Sequence, residues 1–402
     1  MKVILFDPSH RHLFFPFTLT RTVADLRIGV GTIRETWEKI TGTSPVPLSV
    51  SYLTGPLVPD GESGLFINAA LLPDTEAWKE LAACALGEAL FQGDRLIAFH
   101  VPLKTDITLE SFPVLAASLR PRALHKPYTI LEYPWQLVQL NDAAIRRGLP
   151  LFTEGRTSAP IPAGNQVSGP VFLEEGARVS CSVLNASTGP IYIGRHAEIM
   201  EGCLIRGPLV LGEGAVLKMG TKVYGGCTIG PYSVAGGELK NVIMMGYSNK
   251  GHDGYLGDAL IGEWCNLGAG TSNSNVRNNA TNVRVWNPGI GKAVDAGLKA
   301  GLFMGDYSRA AIQTAFNTGA VVGVCCNVFG GGVCSGYVPD FSWGASGPSS
   351  AAGAAGAAGP SSGRRYEWDK VLRDIANWKK LKGQTLEERE IQILRHIFGS
   401  EN

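Results

Sequence analysis

Between residues 252 and 275 the chain reads HDGYLGDALIGEWCNLGAGTSNSN, which sets His252, Tyr255, Asn266, Asn273 and Asn275 on a frame of glycines. Glycines at 254, 257, 262, 268 and 270 leave no room for an amphipathic helix of useful length. A histidine titrates near neutral pH and can move a proton during a reaction, although an isolated one is more often structural. Asparagines on such a frame also serve as turn residues or stack in ladders. A second constellation is Lys222 and Lys240, eighteen residues apart. If one coil of a repeating structure spans that interval, the two ammonium groups stack about 4.8 Å apart. They then repel unless an anion lies between them, and a sugar phosphate would fit. The plainer reading is a pair of solvated lysines, with Lys240 relieved by Glu238.

The elements that must position these residues are set by a repeat of six. Ile193, Ile199, Ile205, Leu211, Leu217, Val223, Ile229 and Ala235 are apolar at strict hexad spacing, and Ile-Gly or Leu-Gly recurs at 193, 211 and 229. Three hexads per coil describe a parallel β-solenoid whose short strands meet at tight turns. The register is expected to slip by two after Asn241 and to resume at Ile243, Tyr255, Ile261 and Leu267. Residues 276–300 lose the hexads and predict an excursion with a hairpin around 283–292. The solenoid then returns, with Ile312, Val322 and Val328 expected inward.

Upstream, residues 1–150 alternate apolar runs with helical patterns, as an α/β layer does. VILF, SYLTG, GLFINAA and RLIAFHV are expected as strands; residues 31–40 and the run PWQLVQLNDAAIRRGL are expected as helices. Residues 344–364 are a low-complexity Gly/Ala/Ser linker. The segment 365–402 predicts two amphipathic helices, the first with Trp368, Leu372, Ile375 and Trp378 on one face. The second begins with a capping box of Thr385 and Glu388, and the pair caps the solenoid's open end or packs on a neighbouring subunit.

The motif GHxxYLGDAxIGxxxNxGAGTxxxN resembles the acetyltransferase site of the bifunctional N-acetylglucosamine-1-phosphate uridyltransferase/glucosamine-1-phosphate acetyltransferases. The segment PFTLTR at 16–21 resembles sugar-nucleotide pyrophosphorylases, although the preceding FDPSHRHLFF lacks the glycine-rich phosphate loop of that family and Val23 stands where its lysine is found. The resemblance implies an α/β nucleotidyltransferase-like domain at 1–150 of a divergent branch and a left-handed parallel β-helix domain at 160–343. It implies His252 as catalytic base and sugar contacts from Tyr255 and Asn266. Asn275 would lie near the reacting amine, and Lys222 and Lys240 would hold the sugar phosphate. Acetyl-CoA would lie against the backbone at Ala269, with Lys292, Lys299 and Arg309 as undistinguished partners for its phosphates. It further implies UTP as nucleotide substrate with Mg²⁺, and a homotrimer; the positive charges of Arg11 and Arg21, with Arg27 and Arg34, could still grip the nucleotide's phosphates or serve as surface or interface residues of a degenerate domain. Acyl or nucleotidyl transfer to another sugar phosphate or sugar nucleotide, and a non-enzymatic hexapeptide scaffold, remain as alternatives; a scaffold has no need of His252, Tyr255 and Asn275.

The net charge of +1 gives no support for a nucleic-acid or membrane-surface partner. No apolar run approaches the roughly 20 residues that span a bilayer, and MKVILFD reads as a strand rather than a signal peptide. The eight cysteines show neither CxxC pairing nor a histidine at metal-ligand spacing. Reduced, buried thiols and a cytoplasmic location are the expectation.

Overall fold

A computed structural model describes residues 1–57, 61–103, 107–344 and 364–400; the linker expected at 344–364 lies almost wholly outside the described residues. The chain divides into two compact units. The first comprises residues 1–11, 20–26 and 31–132; the second comprises residues 12–19, 27–30 and 133 onward.

In the first unit a mixed six-stranded sheet runs in the order Val46–Leu48, Lys2–Phe6, Ser63–Asn68, Arg95–Pro102, Glu88–Gln92, Arg120–Ala123. Lys2–Phe6 pairs in parallel with Val46–Leu48 on one side and with Ser63–Asn68 on the other. The strand order therefore reverses at Lys2–Phe6, and the carboxyl end of that strand is where open α/β sheets bind ligands. Phe66 stacks on Phe99 at 4.5 Å, and Phe112 meets Phe99 edge-on at 4.9 Å, so aromatic rings fill the core beneath. The expected helix at 31–40 is Ile33–Thr41, opened by a Thr32/Glu35 capping box and closed by Gly42 at φ +69°. SYLTG is not a strand. The Val50 carbonyl accepts from the N–H groups of Leu53 and Thr54, and the Thr54 hydroxyl oxygen takes the Ser49 N–H, so the chain turns back there.

The second unit is a parallel β-solenoid, as the hexads demand, of the left-handed kind. Each of the eight hexad residues from Ile193 to Ala235 is at most 2 % exposed. They stack in three columns: Ile193–Leu211–Ile229, Ile199–Leu217–Ala235 and Ile205–Val223–Leu239. Helix Pro134–Thr153 is the helix read at 134–149; its Ile145 and Leu149 pack with Val30 and Val210. Its fully buried Asn141 accepts from the Gly29 N–H at 2.8 Å and donates to the Gly226 carbonyl at 2.9 Å. The excursion forms the hairpin Arg284–Asn287/Lys292–Asp295.

The register slip comes earlier than the sequence suggests. Lys222 pairs with Glu238, sixteen residues on, and Ala235 with Lys250, fifteen on. The inward line then runs through Met244, Lys250 and Leu256, so Ile243 and Tyr255 do not point into the prism. Ile312 is 72 % exposed and Phe316 takes the inward place, whereas Val322 and Val328 are buried.

One corner of the coils carries left-handed aromatic residues: Tyr232, Tyr247 and Trp264 at φ 55°, 55° and 60°. Their rings stack at 5.2 and 4.4 Å, which offsets the cost of that backbone region. Helices Trp368–Leu381 and Glu388–Ser400 pack along this corner with Trp264, Tyr307, Cys325 and Phe341. Val371, Ile375 and Lys379 form the buried line of the first, with Trp368 and Leu372 flanking it. The Thr385/Glu388 box does not form: the Thr385 hydroxyl donates to Glu387, and the Glu390 carboxylate takes the Glu387 N–H. All eight cysteines are free thiols and all but Cys181 are buried. No helix of the described residues is long and apolar enough to cross a membrane.

Candidate functional site

Strands Glu238–Gly246 and Tyr255–Glu263 run side by side round a corner, with Asn241 opposite Asp258. Both corner residues are left-handed, at φ 50° and 46°, a conformation that Asn and Asp tolerate better than other side-chain-bearing residues. Tyr255 faces outward and its ring lies over Gly257, where a Cβ would come within 2.1 Å of the phenol oxygen. That close approach is the reason for glycine in the YLGD motif. Lys240 is the register partner of Gly257, so it stands beside the Tyr255 ring.

A hydrogen-bond network ties these residues to the next coil. The Asn275 amide nitrogen donates to the Tyr255 phenol oxygen at 3.0 Å and to Asp258 Oδ2 at 2.5 Å. The Asn241 amide nitrogen donates to Asp258 Oδ1 at 3.1 Å. Burial, then the negative charges of Asp258 and Glu238, push the Tyr255 hydroxyl up to about 12, so it stays protonated at neutral pH. Asn273 is a bracket rather than a contact: it exchanges hydrogen bonds with the backbone of Gly257 and is buried.

His252 lies in the turn that leads into Tyr255, and its side chain is exposed. Its carbonyl accepts from Lys250 Nζ at 2.5 Å, and the Gly236 carbonyl from the same nitrogen at 3.4 Å. Lys250 itself is fully buried, filling an inward position between Ala235 and Leu267. Burial pulls its ammonium down to about 8 from an ordinary 10.5, against the opposing charge of Asp253. The unfolded chain therefore holds this proton more tightly, and native stability rises with pH between about 8 and 10.5. Below pH 8 the full penalty applies, on the order of 3 kcal/mol. Lys250→Met should be at least as stable as the wild type at pH 7, with a difference that shrinks toward pH 10. Denaturant unfolding of both proteins at the two pH values tests this; a difference that grows with pH refutes it.

Asn266 is not part of the network. It faces outward on the adjoining sheet between Asn249 and Arg309. Asn249 accepts from Lys382 and Arg309 lies over the Trp378 ring, so the C-terminal helical segment covers that column. The stacking expected of Lys222 and Lys240 does not occur. The earlier slip sets Lys222 against Glu238, an opposite charge, and moves Lys240 two residues along. Lys222 instead borders a groove with Asn185, Leu204, Arg206 and Tyr224. The small residues at 268–270 meet the chain's own next coil. A Cβ on Gly268 would come within 2.5 Å of the Ile312 nitrogen, one on Gly270 would strike Gln313, and the Ala269 carbonyl accepts from the Gln313 N–H.

In the first unit, Asp7 follows the switch-point strand and is buried. Its carboxylate accepts from Ser49 Oγ at 2.5 Å, the Val23 N–H at 2.8 Å and Arg11 Nε at 3.2 Å. Desolvation raises it to about 6 despite those donors. Arg11 is only 9 % exposed and also reaches the Tyr52 hydroxyl; its charge is spent on Asp7 rather than offered to a nucleotide. Arg34 pairs with Asp25 at 2.7 Å, and Arg27 donates to the Met245 carbonyl. Arg21 is half-buried. Among the described residues no three His, Cys, Asp or Glu side chains converge on a metal-sized site, and Asp7 is already saturated by donors. The residues present do not fit the expected Mg²⁺.

Sequence reading missed Lys250, Asp258 and Asn241. The signal for Lys250 was the hexad line 244–250–256, which an apolar pattern skips because its middle residue is charged.

The mixed α/β sheet with its switch point at Lys2–Phe6 is of the nucleotidyltransferase type, and it is followed by a hexapeptide solenoid bearing a polar corner. Residues 3–157 match the family model for sugar nucleotidyl transferase. The chain resembles bifunctional GlmU proteins. It is 32% identical over 153 residues to that of Methanocaldococcus jannaschii, which covers 32% of this chain and 36% of the relative. It is 29% identical over 196 residues to that of Legionella pneumophila strain Lens, covering 45% and 40%. The chain thus spans less than half the length of these curated relatives. A solved UDP-N-acetylglucosamine acyltransferase of Francisella novicida aligns over 60% of this chain and 78% of its own at 14% identity, with a TM-score of 0.21.

Proposed function

We propose that the solenoid transfers an acetyl group from acetyl-CoA to the amine of glucosamine-1-phosphate. The observation that carries this reading is the Tyr255–Asn275–Asp258 network beside Lys240, reached by the turn that displays His252. In the reaction the neutral amine attacks the thioester carbonyl, a C–N bond forms and the C–S bond breaks. The coenzyme leaves as its thiol, and the proton shed by the amine passes to His252. Lys240 supplies charge for the phosphate, with Lys222 further along the same outer face, and Tyr255 offers a hydroxyl to the sugar. Asn266 and Ala269 keep their assigned roles only on the strength of the sequence resemblance.

The test is release of coenzyme A thiol from acetyl-CoA with glucosamine-1-phosphate present; no release above the rate without sugar rejects the reading. Uridylyl transfer from UTP by the first unit would follow, giving UDP-N-acetylglucosamine.

A homotrimer with shared acetyl-transfer sites belongs to the same proposal. Leu204 and Tyr224, 53 % and 50 % exposed, line one groove on the solenoid, an apolar surface that suits self-association. Light scattering should report three copies; a stable, active monomer would refute it.

A further inference from the structure

The corner backbone explains part of Asp258 and leaves the rest unexplained. At φ 46° an Asn or Gly would serve as well as Asp. The carboxylate is also costly, since it is buried to 7 % exposure and among the described residues no cation lies within ion-pair distance. Its partners are two neutral amides, from Asn241 and Asn275. An ionised carboxylate can only accept hydrogen bonds. Asn275 must therefore turn its NH₂ toward Asp258, and the second hydrogen of that nitrogen goes to the Tyr255 oxygen. Both donors of Asn275 are used, which leaves its carbonyl oxygen as the group it can show a ligand. Tyr255, accepting from Asn275, keeps its own O–H to give away.

We propose that Asp258 is a positioning residue that fixes this polarity, so that Asn275 accepts an N–H from the acceptor's amine while Tyr255 donates to the sugar. The proposal rests on the acetyl-transfer reading above and specifies what the acceptor must carry beside its ring: a hydrogen-bond donor at the position to be acylated. Without the carboxylate, the Asn275 amide can flip and present its NH₂, which repels an N–H donor. Asn241, which donates to the other carboxylate oxygen, holds Asp258 in place.

Two measurements on the full-length protein test it. The first needs no substrate: the alkaline ultraviolet titration of Tyr255, taken as the difference from Tyr255→Phe. Asp258→Asn removes the first of the two carboxylate charges that add to burial in raising this hydroxyl, leaving Glu238, and should lower its midpoint. An unmoved midpoint overturns the network. The second is calorimetric binding of glucosamine-1-phosphate against 2-deoxyglucose-1-phosphate, which lacks a donor at that carbon. The wild type should prefer the amino sugar by about tenfold, and Asp258→Asn should bring the two near parity without losing the deoxy sugar. The exchange Asp258→Asn with Asn275→Asp again leaves only an acceptor at 275 and should restore the preference. If Asp258→Asn keeps the wild-type preference, or the exchange fails to recover it, this inference falls alone. If the wild type binds neither sugar phosphate, the acceptor assigned under the proposed function falls and the amine contact with it.

Discussion

Replacing His252 by alanine is expected to slow acetyl transfer by roughly 10²–10⁴-fold, the usual effect of losing a general base, and to leave the fold intact. The fold half of this prediction comes from the turn. What ties residue 252 to the solenoid is its carbonyl, held by the buried Lys250 ammonium, and alanine keeps that carbonyl. The imidazole is exposed and fills no part of the prism, so its removal creates no cavity. The activity half comes from the proton: a neutral amine attacking a thioester must shed one, and His252 leads directly into the strand that carries Tyr255. Binding of glucosamine-1-phosphate should change little, since Lys240, Tyr255 and Asn275 remain. The reading is best checked by measuring turnover and unfolding on the same preparation. Near-normal turnover of a folded His252→Ala protein would remove His252 from the mechanism.

Most of the solenoid was legible because its signal is redundant. Eight hexad residues in a row specify which face is inside, and parallel stacking turns that line into columns such as Ile193–Leu211–Ile229. Legibility failed where a coil shortens. Sequence periodicity can register a slip but not locate it, because Gly236 and Gly237 at the true site are compatible with any phase. One misplaced slip then turned Tyr255 inward, put Lys240 over Lys222 and hid Lys250. Ile312 failed for a related reason: the column it adjoins packs small residues closely, with Gly268 against the Ile312 backbone, and its side chain faces solvent. The left-handed corner residues Asn241 and Asp258 are visible in sequence only as polar residues among apolar ones. Their pairing depends on register, which three dimensions fix. In the first unit SYLTG has strand-like composition, yet Thr54 and the Val50 carbonyl close it into a turn through local hydrogen bonds.

Uridylyl transfer by the first unit should be slow, below about 1 per second and so at or under the bottom of the usual enzymatic range. Nucleotidyl transfer depends on positioning and on charge stabilisation around the phosphates. At the carboxyl end of Lys2–Phe6, where the sheet order reverses, the chain offers Asp-Pro-Ser-His-Arg instead of a glycine-rich turn. Pro8 has no N–H to give. Asp7 places a carboxylate at the site, and that carboxylate absorbs the Val23 N–H, the Ser49 hydroxyl and the Arg11 guanidinium, donors that a triphosphate would otherwise use. Losing one preorganised donor at a transition state costs about 10²–10³-fold, and here several are already engaged. Arg21 closes the PFTLTR segment that resembles sugar-nucleotide pyrophosphorylases, and it is half-buried. Whatever uridylyl transfer exists should therefore vanish in Arg21→Ala while acetyl transfer continues unchanged. The measurement is pyrophosphate release from UTP and N-acetylglucosamine-1-phosphate with Mg²⁺ in the buffer, for both proteins. Wild-type turnover between about 1 and 10³ per second would show that side chains have rebuilt the phosphate site. Undiminished release by Arg21→Ala would move that site away from the switch-point strand.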